Sequence, residues 1–231
     1  MGRPEHILRR EDGVDVIFGN LDLWAEAIGN TLLVFFIGGL IALVLGMIVG
    51  AMRVSPVPIA RGVGTAYVNI VRNTPLTLVF FFFVFGYPQL GLPDLSNTVL
   101  GILAIGIYTA TYVAEVLRAG INTVPVGQAE AARAIGLPFG QVMTLIVLPQ
   151  AFRSVVPPMM SVFIALLKNT TVAAGFSIGE LAALRATIND APGRPGNPME
   201  VLLWVAIVFV VLVLAMSAVQ RHLENKWRIA R

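Results

Sequence analysis

Four ionisable side chains lie at or inside otherwise apolar stretches: Arg72, Glu115, Arg118 and Lys168. A charge near the centre of a bilayer costs roughly 2.5–3.5 kcal/mol on insertion scales, so such groups pair, face water, or handle a polar solute. Lys168 is the deepest, lying about 22 Å beyond Arg153 at about 1.5 Å per helical residue. A Glu115–Lys168 or Glu115–Arg72 pair that simply holds helices together is the alternative to a role on a solute pathway. Asn69, Asn73, Thr74, Tyr108, Thr111, Asn169, Thr170 and Thr171 add hydrogen-bonding capacity nearby, although each alone also serves as glue between helices.

Covalent chemistry finds little support. Gly175-Phe176-Ser177-Ile178-Gly179 fits the Gly-x-Ser-x-Gly nucleophile elbow, but a serine needs a base. The two histidines, His6 and His222, lie outside the apolar stretches, and no strand precedes the motif. These glycines are expected to end or bend a helix instead. The chain has no cysteine, which excludes disulfides, thiolate metal sites and cysteine nucleophiles. No metal site and no bound cofactor are expected.

The elements that hold these residues follow from composition. Of 231 residues, 57% are hydrophobic and 13% charged, about half the share typical of soluble domains. Mean hydropathy is +0.82. A soluble fold could not cover this apolar inventory, and disorder is excluded because there is too much to bury. The net charge of +3 comes from scattered basic residues, with no stripe suited to nucleic acid. Residues 27–52, 73–93, 95–114 and 201–220 carry no charge, and 154–179 carry only Lys168. Each is long enough to cross the membrane as a helix. An all-α integral membrane protein with five spans is therefore predicted, at about 28–52, 66–87, 97–118, 153–178 and 199–220.

An odd number of spans puts the termini on opposite sides. The C-terminal side collects Arg53, Arg61, Arg118, Arg133, Arg153, Arg221, Lys226, Arg228 and Arg231, against Arg3, Arg9, Arg10, Arg185 and Arg194 on the other. The positive-inside rule then makes the C-terminus cytoplasmic and the N-terminus external. Residues 1–27 read as an extracytoplasmic polar lead-in, without the apolar core of a signal peptide and ending in a short interfacial helix over 21–28. Residues 53–65 read as a Pro-rich turn, 86–97 and 185–198 as outer loops, and 221–231 as a cytoplasmic basic tail that can touch anionic lipid. Gly46-x-x-x-Gly50 is expected to pack helices within the subunit. Phe80–Phe83 and Phe85 make lipid and packing contacts in this reading, and Trp24, Trp204 and Trp227 act as interfacial anchors.

The longest polar segment between spans carries the most specific pattern. Ala129–Ile135 is strongly helix-forming, Gly136 ends that helix in a left-handed conformation, and Pro138 suits the start of a second helix closed by Pro149. The result is a compact knob at the membrane surface, with small residues on one face. Glu130-Ala131-Ala132, Gly136 and Ile146-x-Leu148-Pro149 resemble, at every spacing, the EAA signature of bacterial ABC importer permeases. Ala114-Glu115-x-x-Arg118-Ala119-Gly120-Ile121, Arg72-Asn73-Thr74-Pro75 and Leu167-Lys168-Asn169-Thr170 resemble segments of the polar amino-acid subfamily, and Arg72-Asn73-Thr74-Pro75-Leu76-Thr77-Leu78, with Ala119-Gly120-Ile121-Asn122-Thr123-Val124 and Gln128-Ala129-Glu130-Ala131-Ala132-Arg133, looks closest to actinobacterial glutamate permeases. The resemblance covers about residues 28–220.

This resemblance implies a type I ABC importer transmembrane domain, a transport subunit and not an enzyme. The segment 128–149 would hold a cytoplasmic coupling helix that docks a separate ATP-binding subunit. Glu130 would cap or pair at its edge, Ala131 and Ala132 would allow close approach, Arg133 would flank them, and Gly136, Leu137 and Pro138 would shape the knob. ATP and Mg would sit on that partner, because this chain has no Gly-x-x-x-x-Gly-Lys-Ser/Thr loop. A second permease subunit and an extracytoplasmic amino-acid-binding protein complete the expected assembly in the cell membrane. Arg72, Asn73, Thr74, Glu115, Lys168, Asn169, Thr170 and Thr171 are the candidate substrate pathway. Relatives often have aspartate after the lysine; Asn169 here makes the pathway more cationic, which fits glutamate or aspartate. An ion-coupled carrier or channel subunit working without an ATPase is the alternative.

Overall fold

The computed structural model describes residues 15–189 and 198–226, and within these every regular element is helical. A short helix α1 (Asp15–Phe18) leads into α2 (Leu21–Val54), where a run of Leu, Val, Ile, Ala and Phe continues without proline for 34 residues. Expected as a separate interfacial piece, residues 21–28 are instead the first turns of α2. Nothing between Leu21 and Ile28 breaks the helical hydrogen bonding.

Helix α3 (Pro58–Arg72) starts eight residues before the expected span. Pro58 occupies the first turn, where its missing N–H is not needed, so only 55–57 form the turn. After Arg72-Asn73-Thr74-Pro75 the chain bends by 99° into α4 (Leu76–Phe81). It continues as a π turn (Phe82–Gly86) and a 3-10 turn (Tyr87–Leu90). Pro75 cannot continue α3, and the residue before a proline avoids the helical region, which accounts for the break. A bent helix pair thus stands where one continuous second span was expected. The helix passes Gly86 and Pro88, both expected in a loop, and stops at Gly91, whose φ of 66° is left-handed.

Helix α5 (Asn97–Ile121) is capped by Ser96, whose hydroxyl accepts from the Val99 N–H. It is the most enclosed span and runs parallel to α2. The two backbones approach closely: an added Cβ on Gly46 would stand 2.5 Å from Val113, and one on Gly38 would stand 2.8 Å from Ile105. Gly46 and Gly50 do pack within the subunit, as the motif suggested.

The hairpin helix α6 (Val126–Ala134) ends at Gly136, with φ at 91°. Next, α7 (Phe139–Gln141), a π turn (Val142–Val147), α8 (Leu148–Asn169) and a 3-10 stretch (Thr170–Phe176) form one continuous helix, Phe139–Phe176. Pro149 therefore does not close a second hairpin helix. Within the wide turn Leu148 N–H donates to Met143 C=O, five residues back, and such a turn accommodates a proline ring that a regular α-turn would clash with. After a 3-10 turn (Leu181–Ala183), α9 (Leu184–Asn189) and then α10 (Pro198–Lys226) complete the bundle. Helix α10 lies antiparallel to α8, with Gln220 Nε2 donating to Ser161 Oγ at 3.1 Å.

The bundle has two distinct ends. At one lie the hairpin and the C-termini of α2, α5 and α10; at the other lie the N-termini of α2 and α5 and the segment 170–189. Trp24 is buried there against Leu181, Leu184, Ile188 and Val201, so it is a core residue and not a lipid-facing anchor. Phe80 is wholly buried, whereas Phe81, Phe82 and Phe85 are exposed. The expectations on Met1–Val14, Arg194 within the loop 190–197, Trp227 and the end of the basic tail lie outside the described residues.

A Gly46→Val variant should lower the apparent melting temperature of the purified chain in detergent by about 5 °C or more, because overpacking typically costs about 1–3 kcal/mol. Gly29→Ala on the same helix, where an added Cβ meets nothing within 4 Å, should melt like the parent. Equal melting of the two would show that the α2–α5 approach is not tightly constrained.

Candidate functional site

Helices α5 and α8 enclose a cavity of about 440 Å³ lined by Tyr108, Thr109, Tyr112, Ser161, Leu166 and Asn169. On a helix, residues three and four apart share a face, which brings Tyr108 and Tyr112 together. Their hydroxyls lie 3.0 Å apart. Thr109 is buried, and its hydroxyl has no hydrogen-bond partner among the described residues. The wall thus offers two phenols, two aliphatic hydroxyls and one carboxamide, with no charged group.

A cation stands at its edge. The Arg72 guanidinium, at the 99° break, sits 5.6 Å from the Tyr112 ring centroid. The same guanidinium approaches Glu115 Oε1 at 3.7 Å. Glu115 is held more closely by Arg53 Nη1, which donates at 2.6 Å, and by Arg118 Nη2 at 3.2 Å. Three arginines from α2, α3 and α5 therefore converge on one carboxylate, near the hairpin end of the bundle. Arg53 is almost fully buried, while Arg72 is half-exposed.

Of the predicted pathway residues, the structure brings Asn169 and Arg72 to this cavity or its rim, and Glu115 to the arginine cluster behind it. Lys168 is elsewhere. It lines a separate groove of about 510 Å³ with Thr171 and the apolar face of α10, and it makes no ion pair with Glu115. One residue is about 100° of helix, so Lys168 and Asn169 point to different grooves. The hydroxyls of Thr74, Thr170 and Thr171 donate to their own helices, at Ile70, Leu167 and Lys168 carbonyls, and Asn73 Nδ2 donates to Asn69 C=O. Thr170 is also fully buried, away from the cavity. Sequence reasoning missed Thr109, Tyr112, Ser161 and Arg53. Tyr112 was detectable as the helical neighbour of Tyr108; Ser161 and Arg53 required tertiary contacts.

The hairpin is the second feature. Glu130, Ala131, Arg133, Gly136 and Pro138 are exposed, as is Ile135 at 80%, and Leu137 is half-buried. Ala132 turns inward and packs with Val124, Val142 and Val147, so it secures the hairpin and does not offer itself to a neighbour. Gln150 Nε2 donates to Gln128 Oε1, which ties α6 to α8. Below it, Gly120 of α5 leaves room for Val155 of α8, and Thr123 and Ser154 hydroxyls meet at 2.9 Å. The hairpin is thereby joined to both helices that form the cavity. Ser177, the candidate nucleophile, is exposed in a left-handed turn, and His222 lies far along α10. No catalytic group accompanies it among the described residues.

Residues 42–229 match the family of binding-protein-dependent transport system inner membrane components. The chain belongs to this family. It is a permease of the ABC importer type, spanning the membrane. It is 43% identical to the glutamate transport system permease protein of Corynebacterium efficiens, over 82% of this chain and 87% of that one. Identity to the glutamate/aspartate import permease protein of Escherichia coli is 32%, over 80% of this permease and 85% of that one. Among solved structures, an amino acid ABC transporter with histidines superposes with a TM-score of 0.84 at 25% identity, covering 91% and 96% of the two chains. The inward-facing methionine transporter shares the fold, with a TM-score of 0.74 at 21% identity and 90% and 98% covered.

The geometry of the arginine cluster predicts unequal couplings. A double-mutant cycle between Arg53 and Glu115, read by unfolding in detergent, should give about 1.5–3 kcal/mol, as for hydrogen bonds to charged groups. The exposed, longer Arg72–Glu115 pair should give below about 1 kcal/mol. The reverse order would mean that Arg72, not Arg53, anchors Glu115.

Proposed function

We propose that this permease forms half of the translocation pathway of an ATP-driven importer for polar amino acids, with glutamate or aspartate as substrate. A separate ATP-binding subunit would dock on the exposed hairpin, and a second permease and an extracytoplasmic binding protein would complete the assembly. In this reading the hairpin end is cytoplasmic, which places the start of α2 outside and the end of α10 inside. No chemistry on the substrate is required of this chain, and ATP and Mg would belong to the partner.

The observation that carries the reading is the physical connection between hairpin and cavity. The α6 knob is fixed to α8 by Gln128–Gln150 and by the Ala132 contacts, and α8 to α5 by the Gly120–Val155 approach. Movement of the knob with an ATPase would displace the walls carrying Tyr108, Tyr112 and Asn169. Coupling requires that nucleotide on one side and solute on the other each prefer one arrangement. The π turn Val142–Val147 lies between knob and span, where an irregular helical turn can serve as the joint.

The cavity chemistry supports an acidic solute. Its lining contains no carboxylate, its hydroxyl and amide groups can donate to one, and Arg72 supplies a cation at the rim. Asn169, being neutral, places no charge there to repel a second carboxylate. Lys168, facing α10, is no longer needed for this selectivity.

Two measurements test the proposal. The assembly purified in mild detergent should contain an ATPase, and a Gly136→Asp variant should lose most of it, because φ of 91° strains any side-chain-bearing residue. Retention of the ATPase at parental levels would detach the hairpin from docking. In uptake assays, Asn169→Asp should reduce glutamate transport tenfold or more while sparing glutamine, and unchanged glutamate uptake would remove Asn169 from the substrate site.

A further inference from the structure

The end of the bundle opposite the hairpin holds a carboxyl group that neither docking nor solute binding uses. Glu180 is wholly buried. It lies in the segment that follows Asn169 of the cavity: the 3-10 stretch Thr170–Phe176, the turn at Ser177, and the 3-10 turn Leu181–Ala183. Three anchors hold this segment against the spans. Phe176 stacks on Phe80, with ring centroids 5.0 Å apart, and meets Phe81 edge-on. Ile178 fills the notch left by Gly101 on α5. At the third anchor the backbone around Glu180 grips α2: Asn30 Nδ2 donates to Gly179 C=O at 2.8 Å, and Leu181 N–H donates to Thr31 Oγ1 at 2.9 Å.

The Glu180 side chain folds back on its own turn, where Oε1 accepts from Ala182 N–H at 2.9 Å. Its other oxygen, Oε2, is buried and has no hydrogen-bond partner among the described residues. A carboxylate so placed would leave a charge unsolvated on one side, which is expensive, whereas the neutral acid is far less so. The charged groups at this end on the neighbouring elements are Asp22 and Glu26 of α2, Asp94 in the loop before α5, Arg185 of α9 and Glu200 of α10. The others on α2, α5 and α10, including Arg53, Glu115, Arg118 and Arg221, lie toward the hairpin, and Lys168 faces the α8–α10 groove. None of these pairs with Glu180 among the described residues.

We propose that Glu180 is a positioning residue that works as a protonation-sensitive clasp: uncharged, it lets the segment 170–184, which follows Asn169 of the cavity, seat on α2, and ionised, it draws in water and loosens that seat. Ser177 supports the idea of a segment held by its anchors, since a non-glycine residue at φ 59° adopts a sparsely populated conformation that its surroundings must maintain. Burial pushes the carboxyl up from 4.5 to about 7, against the lowering effect of the Ala182 and Ala183 amides and the Thr31 hydroxyl. The folded segment therefore holds this proton more tightly than an opened one. The clasp is fully engaged below about pH 4.5 and weakens as pH rises through about 7. Its bearing on transport rests on the cavity assignment above, but its existence does not.

Hydrogen–deuterium exchange on the full chain in lipid nanodiscs tests it, with rates corrected for intrinsic pH dependence and the hairpin peptide 126–137 as reference. Peptides within 170–189 should exchange at least fivefold faster at pH 8.5 than at pH 5.5, relative to the hairpin. Glu180→Gln should abolish that difference. Asn30→Ala, which removes one anchor and leaves the acid, should speed exchange at both pH values and keep the difference. A parental chain with no pH-dependent difference overturns the proposal without reference to any variant, as does a Glu180→Gln chain that keeps it. Because the readout is local exchange, these results stand apart from whether Asn169 binds substrate.

Discussion

The close parallel approach of α2 and α5 is the constraint on which the remaining structure depends. In a bilayer, apolar side chains gain little by leaving lipid for protein, so helices associate through van der Waals contact and a few polar links. Gly38, Gly46 and Gly50 on α2 and Gly106 on α5 remove side chains where the backbones meet, letting Ile105, Val113, Leu117 and Ile41 fill the space. Helix α5 then becomes the fixed axis of the subunit. It carries Tyr108, Thr109 and Tyr112 toward the cavity, Glu115 toward three arginines, Gly101 toward Ile178 and Gly120 toward Val155.

That axis separates two kinds of polar chemistry along one helix. Near the middle, uncharged hydroxyl and amide groups line a cavity between α5 and α8. One turn nearer the hairpin, Glu115 accepts charged hydrogen bonds from Arg53 and Arg118 and forms a longer ion pair with Arg72, so that residues of three helices meet at one carboxylate. Arg72 belongs to both zones, stacked near Tyr112 and close to Glu115, because the Asn73-Thr74-Pro75 break lets α3 stop inside the bundle. A straight second span would carry its helix past this point, and the broken one leaves a cation at the rim.

The two ends differ in how firmly they are tied. At the hairpin end a small exposed knob is joined to α8 through a π turn. At the far end the segment after α8 is held by Phe176 on Phe80, by Ile178 at Gly101 and by backbone hydrogen bonds to Asn30 and Thr31. Membership in the importer family gives this difference its meaning. In the proposed assembly one end would meet the ATP-binding subunit, and the two ends are joined by helices that are mostly uninterrupted between them.

The sequence alone determined the membrane class, an all-helical chain with four to five apolar helices, and the importer family. Each rests on a property that needs no third dimension: unbroken apolar length, and the spacing of Glu130, Gly136 and Pro149. Gly136 was legible because only a left-handed turn explains a glycine between Ile135 and Leu137-Pro138, and the structure gives it φ of 91°. Which polar residues act together was not legible. Lys168 and Asn169 are adjacent in sequence yet face different grooves, Ala131 is exposed where Ala132 is buried, and Arg53, remote from Glu115 in the chain, is its closest partner. Proline positions also misled, since Pro149 lies inside a helix that a π turn makes tolerant of it. Hydropathy and motif spacing report what each segment is, but helix rotation and the registry between helices decide what each side chain meets. Those are set only when α2, α5 and α8 settle against one another.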